Sequence, residues 1–150
     1  MRYQMQEGYL TLGEGDWRDR TVNMLGAGHL PAKGANLVVT REPLPDGLGI
    51  DDYIKNQKTV MARDLPGLTL LAESADSLNG LPVHFLEFRW SNQGGAMHQM
   101  VFVIHIGRCA LNLTATFPGE PDETSRAEML TAMRSFTPGT ATVIPEGATL

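Results

Sequence analysis

Two consecutive predicted strands in the second half of the chain constrain its fold more than any other segment. They span residues 96–106 and 108–117 and are joined by a short turn at Gly107. Because side chains alternate across a strand, the first strand has two faces, and both are apolar. One face carries Met97, Gln99, Val101 and Val103, and the other carries Ala96, Met100, Phe102, Ile104 and Ile106. A sheet built around this strand therefore has two faces to cover.

The chain offers only two helices of useful length to supply that cover. The first begins at Asp51-Asp52, either of which suits a helix cap, and repeats apolar residues at helical spacing as far as Leu65. The second spans residues 122–136. Helices gathered on one side of a sheet leave the other face without an internal cover. A large exposed apolar surface usually has a partner, so the pattern indicates binding rather than chemistry.

Five further segments are predicted to be strands, because turn residues bound runs of strand-forming residues at 3–12, 20–25, 36–41, 68–75 and 82–90. Hairpin-type connections dominate the resulting order, β-β-β-α-β-β-β-β-α. The sequence therefore predicts an α+β fold, with a mainly antiparallel sheet and two helices on one side. Residues 1–137 are predicted to form a single domain, followed by a flexible tail at residues 138–150 that is rich in Gly, Thr, Ala and Pro.

Composition and charge argue against several classes of protein. A net charge of -5 with scattered basic residues does not suit a nucleic-acid partner. No apolar run is long enough for membrane insertion, and the N-terminus lacks the apolar core of a signal peptide. The single cysteine, Cys109, forms no internal disulfide and fits a reducing compartment. The predicted location is cytoplasmic.

No motif predicts catalysis, a metal site or a cofactor. His98 and His105 lie seven residues apart on one strand, so they point to opposite faces, and no ligand spacing typical of zinc or calcium occurs. The acidic pairs at residues 51–52 and 122–123 each begin a helix, which capping explains better than acid–base chemistry. Cys109 has apolar neighbours and is interpreted as a buried structural thiol. The expectation is a protein that is not an enzyme and has no cofactor.

A series of short segments runs in order through most of the chain. M-x-Y-x-x-x-E-G at residues 1–8 is followed by D-R-T-V-N-M-L at 19–25 and L-V-V-T-R-E-P-L-P-D-G at 37–47. Gln57 in the first helix, Q-x-x-x-x-x-H-I-G-R at 99–108, L-N-L-T at 111–114 and R-S-F at 134–136 complete the series. In this order and spacing the chain resembles the Eag family, the DcrB-like chaperones of type VI secretion effectors.

The resemblance implies a PsbP-like fold, a homodimer and a function as a cytoplasmic chaperone. Such a chaperone binds the N-terminal transmembrane helices of a secreted toxin with a PAAR domain, and shields them in a concave apolar sheet surface before export. Carried over position by position, the client-binding residues of the family fall on Val22, Met24, Val39, Gln57, Leu65, Gln99 and Val101.

Two other interpretations are left open by the residues themselves. A small α+β carrier of lipid or another apolar ligand would be a monomer with an enclosed pocket. An enzyme would need a closed pocket with a perturbed carboxylate, for which Glu87 is the candidate. A chaperone, by contrast, is expected to be a dimer that copurifies with a membrane-segment peptide.

Overall fold

The computed structural model describes residues 1–139, so the predicted flexible tail lies almost entirely outside the described residues. Eight strands and two helices follow one another in the order β-β-β-β-α-β-β-β-β-α. Their bounds are β1 (Arg2–Met5), β2 (Gly8–Thr11), β3 (Asn23–Gly26), β4 (Asn36–Pro43), α1 (Ile50–Asp64), β5 (Thr69–Leu78), β6 (Leu81–Asn92), β7 (Gly95–Ile106), β8 (Cys109–Pro118) and α2 (Glu123–Arg134).

Six of these strands form one antiparallel sheet in the order β3-β4-β8-β7-β6-β5. The long strands β5, β6, β7 and β8 follow one another through two-residue turns, the first of which, Asn79-Gly80, joins β5 to β6. Asn79 and Gly80 both have positive φ, 50° and 81°, which is the conformation that a two-residue hairpin turn requires. The predicted α+β class with a mainly antiparallel sheet is confirmed.

The N-terminal quarter of the chain departs from the prediction. The predicted strand at residues 3–12 is wrong, because the chain reverses at the polar Gln6-Glu7 pair and β1 pairs with β2 in a separate two-stranded sheet. The predicted strand at residues 20–25 begins only at Asn23. The Asp19 carboxylate accepts a hydrogen bond from the Thr21 backbone N–H at 2.8 Å, and this local turn competes with strand pairing.

The two helices pack on opposite faces of the six-stranded sheet, so the prediction of two helices on one side is wrong. Met129 and Met133 of α2 belong to the apolar cluster that contains Phe102. Tyr53 and Ile54 of α1 belong to a second cluster, built around Val103 and Ala110. Phe102 and Val103 are consecutive on β7 and therefore point to opposite faces. Each apolar face of β7 thus receives one helix, and we call the two sides the α1 face and the α2 face.

The two helices begin differently. The N-cap of α2 is Asp122, whose carboxylate accepts a hydrogen bond from the Ser125 backbone N–H at 3.1 Å, as predicted. The N-cap of α1 is Gly49, which has no side chain to supply a cap. Capping by Asp51 or Asp52 is therefore a wrong prediction. Both carboxylates lie in the first turn, where their negative charge interacts favourably with the positive end of the helix dipole.

A buried ion cluster ties α2 to the sheet. Arg126 of α2 donates two hydrogen bonds to the Glu87 carboxylate on β6, at 2.8 and 2.6 Å. His98 Nε2 on β7 lies 2.7 Å from the same carboxylate, and Glu87 is only 5% exposed. The Arg126 guanidinium holds the pKa of Glu87 below its ordinary value, against the opposing effect of burial. Glu87, the acid of the enzyme interpretation, thus anchors a helix.

Candidate binding surface

Helix α1 covers only part of its face of the sheet. Leu86 and Phe88 of β6, which point to this face, are buried at 2% and 3% exposure. The α1-face positions of β3, β4 and parts of β7 and β8 are exposed or half-buried instead. We call this uncovered area the open half, and define it by Met24, Val38, Gln99, Val101, Thr114 and Thr116.

One row of paired residues crosses the open half. Met24 of β3 lies opposite Val38 of β4, and Val38 lies opposite Thr114 of β8. Thr114 in turn lies opposite Val101 of β7. Neighbouring strands are about 4.8 Å apart, so four strands span about 14 Å. An α-helix with its side chains is about 10 Å in diameter, and the open half is therefore wide enough to receive one.

A chain of side-chain hydrogen bonds runs along one end of the open half. Trp90 Nε1 donates to Gln99 Oε1 at 2.7 Å, and Gln99 Nε2 donates to Thr116 Oγ1 at 2.9 Å. All three side chains are half-buried. The Gln99 amide is therefore a fixed part of the sheet surface, whereas an unbonded glutamine on an open sheet would move freely.

A buried polar contact holds α1 at the border of the open half. Asn112 Nδ2 on β8 donates to Tyr53 Oη at 2.9 Å. Burial raises the pKa of Tyr53 to about 12, so the phenol stays protonated at neutral pH. Gln57 lies one helical turn after Tyr53 on the same flank of α1 and is half-buried. Gln57 therefore borders the open half from the helix side.

Tyr53→Phe is expected to lower the free energy of unfolding by about 1–3 kcal/mol, because the buried Asn112 amide loses its hydrogen-bond partner. Urea unfolding followed by circular dichroism measures this change. Tyr9→Phe is the matched control, since Tyr9 is 54% exposed. Equal stability of the Tyr53 and Tyr9 variants would contradict the assigned role of this bond.

The family-derived residues are only partly brought together. Met24, Gln99 and Val101 lie on the open half, and Gln57 lies at its border. Val22 precedes β3 and is 53% exposed. The positions of these five residues allow one continuous surface, which runs from β3 across the open half to the flank of α1.

The other two family-derived residues differ in placement. Val39 pairs with Leu113 and packs against the core cluster on the α2 face. Placing Val39 on the same surface as Met24 is therefore wrong, because consecutive residues of β4 alternate between faces and Val38 occupies the α1 face. Leu65 is the half-buried C-cap residue of α1, where its backbone N–H bonds to Met61 O.

Sequence reasoning missed Trp90, Val38, Thr114 and Thr116. The signal for the two threonines is present in β8, where apolar residues alternate with Asn112, Thr114 and Thr116 over L-N-L-T-A-T-F. That alternation predicts one buried face and one polar face. The role of Trp90 requires knowledge of the register, because its bond to Gln99 runs diagonally between β6 and β7.

The opposite flank of α1 forms a cleft whose chemistry differs from that of the open half. Its lining includes Lys58, Glu73 and His84. Lys58 Nζ donates to Glu73 at 2.8 Å, and His84 Nε2 lies 2.6 Å from the same carboxylate. The lining also includes the apolar residues Ile54 and Ala62, but an apolar ligand would still remove the hydration of the charged groups that it covers. This cleft does not favour the carrier interpretation.

Residues 1–139 contain neither a metal cluster nor a membrane-spanning helix. No group of three or more His, Cys, Asp or Glu side chains in this range is placed to hold a metal ion. No helix in the same range is long and apolar enough to cross a bilayer. Cys109 is buried, and burial raises the pKa of its thiol, as expected for a structural cysteine.

Comparisons with known proteins place the chain among proteins of the same fold. The DcrB family model matches residues 7–135. No curated protein matches the sequence. The structure is similar to the crystal structure of PA94, a protein of unknown function from Pseudomonas aeruginosa, with a TM-score of 0.76. The two sequences are 21% identical, and the match covers 94% of this chain and 98% of PA94.

Two further solved structures show the same architecture. Cyanobacterial PsbP (CyanoP) from Synechocystis sp. PCC 6803 has 15% identity and a TM-score of 0.57, and the match covers 91% of each chain. LpqN of Mycobacterium tuberculosis, involved in cell envelope biogenesis, has 14% identity and a TM-score of 0.52, with 79% of this chain and 81% of that chain covered. The likeness confirms the predicted PsbP-like fold.

Proposed function

Since this chain belongs to the DcrB family, we propose that it is a cytoplasmic chaperone for a toxin exported by type VI secretion. It binds the N-terminal transmembrane helices of a toxin that carries a PAAR domain. It keeps these helices out of water until export. It acts by binding alone, without catalysis or a cofactor.

The observation that supports this proposal most is the open half of the sheet. None of its six side chains carries a charge, and Met24 at its rim is 71% exposed. A transmembrane helix is apolar on all sides and aggregates in water unless its surface is covered. An uncharged surface about 14 Å wide provides such a cover. A charged partner would find no opposite charge among these six side chains.

The free energy available from this contact is sufficient for stable binding. Burying roughly 1,000 Å² of apolar surface contributes about 25 kcal/mol before the costs of association. Loss of translational and rotational freedom, with ordering of side chains, offsets about 4–15 kcal/mol of that gain. The balance permits tight binding without any charged contact.

Coexpression with a model client tests the proposal. The client is a soluble carrier protein bearing a 20-residue Leu/Ala helix, and the control is the same carrier with every third helix residue changed to Lys. The chaperone is expected to copurify with the apolar client and not with the control. Equal recovery of both clients, or recovery of neither, would overturn the proposed function.

We also propose that the chain forms a homodimer through its N-terminal segment. β1 and β2 pair only with each other within the described residues, and the segment before β3 exposes Met1, Met5, Tyr9, Leu10 and Trp17. Tyr3 and Leu10 lie opposite each other in the hairpin and share one of its faces with Met5. A second copy of the chain would remove this apolar face from water.

Leu10→Glu is therefore expected to convert the dimer into a monomer of 16.4 kDa, because a carboxylate would be buried in the interface. Sedimentation at micromolar concentration measures the change. Thr11→Glu is the matched control, since Thr11 points to the opposite face of β2. A wild-type chain that sediments as a monomer, or a Leu10 variant that remains dimeric, would contradict the proposed interface.

A further inference from the structure

The orientation of the Gln99 amide is determined by its partners. The indole N–H of Trp90 is a donor only, so the group that faces it at 2.7 Å must be the Gln99 carbonyl oxygen. The amide nitrogen then faces Thr116 Oγ1 at 2.9 Å and donates to it. The Trp90 contact is lost if the amide is turned by 180°, because the indole would then face an NH₂ group, whereas the Thr116 hydroxyl can donate or accept in either orientation.

This arrangement leaves a defined hydrogen-bonding capacity on the surface. A primary amide has two N–H donors and two acceptor lone pairs. Trp90 uses one lone pair and Thr116 uses one N–H, so one N–H and one lone pair of Gln99 are free. Gln99 lies on the open half and is half-buried, so these groups are available to a molecule bound there.

We propose that Trp90 and Thr116 are positioning residues that fix the Gln99 amide, and that this fixed amide makes the open half prefer an apolar helix carrying a hydroxyl side chain. This inference rests on the proposed function. A Ser hydroxyl both donates and accepts, so it matches the free N–H and lone pair of Gln99. A fully aliphatic helix leaves both groups buried and unsatisfied.

Fixing the amide in advance matters because binding then needs no further ordering of the Gln99 side chain. Immobilising a flexible side chain on binding costs conformational entropy, and the bonds from Trp90 and Thr116 remove that cost before the helix arrives. The neighbouring Thr114 lies two residues from Thr116 on the same face of β8, but it is opposite Val101. Thr114 therefore has no part in orienting the amide.

Two labelled peptides test the inference. Both are 20-residue Leu/Ala helices with Lys residues at each end, and they differ only in a central Ser or Ala. Fluorescence anisotropy measures the Kd of each peptide. Wild-type protein is expected to bind the Ser peptide about five- to tenfold more tightly than the Ala peptide, the ratio that one additional hydrogen bond supplies.

Conservative variants separate positioning from packing. Trp90→Phe keeps most of the ring and removes the indole N–H, and Thr116→Val keeps the shape and removes the hydroxyl. Each is expected to reduce the Ser/Ala preference to less than about twofold. The ratio of the two Kd values is the readout, because a change in apolar contact affects the Ser and Ala peptides alike. Thr69→Val is the matched control and is expected to keep the full preference, since Thr69 is exposed on the α2 face of β5.

The outcomes distinguish this inference from the proposed function. If wild-type protein binds neither peptide, the proposed function is wrong and this inference is wrong with it. If it binds both peptides equally, the open half binds apolar helices but does not select a hydroxyl, and only the inference is overturned. The same holds if Trp90→Phe and Thr116→Val keep the wild-type preference, or if Thr69→Val loses it.

Discussion

Replacing Met24 with Asp is expected to abolish copurification of the apolar client while leaving the protein folded. Met24 is 71% exposed on β3, so the substitution removes little packing within the chain. In the complex, however, the new carboxylate would be buried against an apolar helix without a partner. That burial costs several kcal/mol, enough to weaken binding by roughly a hundred- to a thousandfold.

The adjacent residue supplies the control for this experiment. Leu25 is 58% exposed on the same short strand, but it points to the α2 face. Leu25→Asp introduces the same charge within one residue and is expected to retain the client. If Met24→Asp binds as well as wild type, or if both variants lose the client equally, the open half is not the binding surface.

The second large effect concerns stability. Arg126→Ala is expected to lower the free energy of unfolding by about 3 kcal/mol, because it leaves the buried Glu87 carboxylate without its bidentate partner. Arg89→Ala is the matched control. Arg89 pairs with Glu120 at 3.5 Å on the surface, and its loss is expected to cost less than about 1 kcal/mol. Equal costs for the two variants would contradict the anchoring role of the ion cluster.

The ion cluster also predicts a dependence of stability on pH. The pKa of Glu87 is lower in the folded protein than its ordinary value of 4.5, so the folded state favours the carboxylate. The resulting stabilisation is fully present above pH 4.5. It is lost as the pH falls through the pKa that Glu87 has in the folded protein. Wild type is therefore expected to lose stability on acidification below pH 4.5 more steeply than Arg126→Ala, as measured by urea unfolding at a series of pH values.

Local signals in the sequence were sufficient to predict most of the sheet. The alternation along β7, the Asn79-Gly80 turn and the Gly107 turn each depend on residues close in sequence, and the structure contains all three. The open half does not follow from the sequence argument, which expects one whole face without cover because it places both helices on the other face, whereas the structure has one helix on each face.

The errors have a common physical origin, which is that pairing between distant segments is not encoded locally. The face on which a helix packs depends on sheet topology, and the sequence alone did not indicate that α1 and α2 lie on opposite faces. The same limitation explains why Val39 was wrongly placed on the same face as Met24. The register between β3 and β4 decides which residues of β4 share that face, and it pairs Met24 with Val38. This limitation also hid the contact between Glu87 and Arg126, which are 39 residues apart.

Site-specific cross-linking identifies the face of the sheet that an apolar helix contacts. A photoreactive amino acid is placed at position 24 or at position 25, and each variant is coexpressed with the carrier bearing the apolar helix. We expect a covalent adduct with the helix from position 24, on the open half, and little or none from position 25, on the α2 face. Adducts from position 25 alone, or adducts of equal yield from both positions, would show that the open half is not the binding surface.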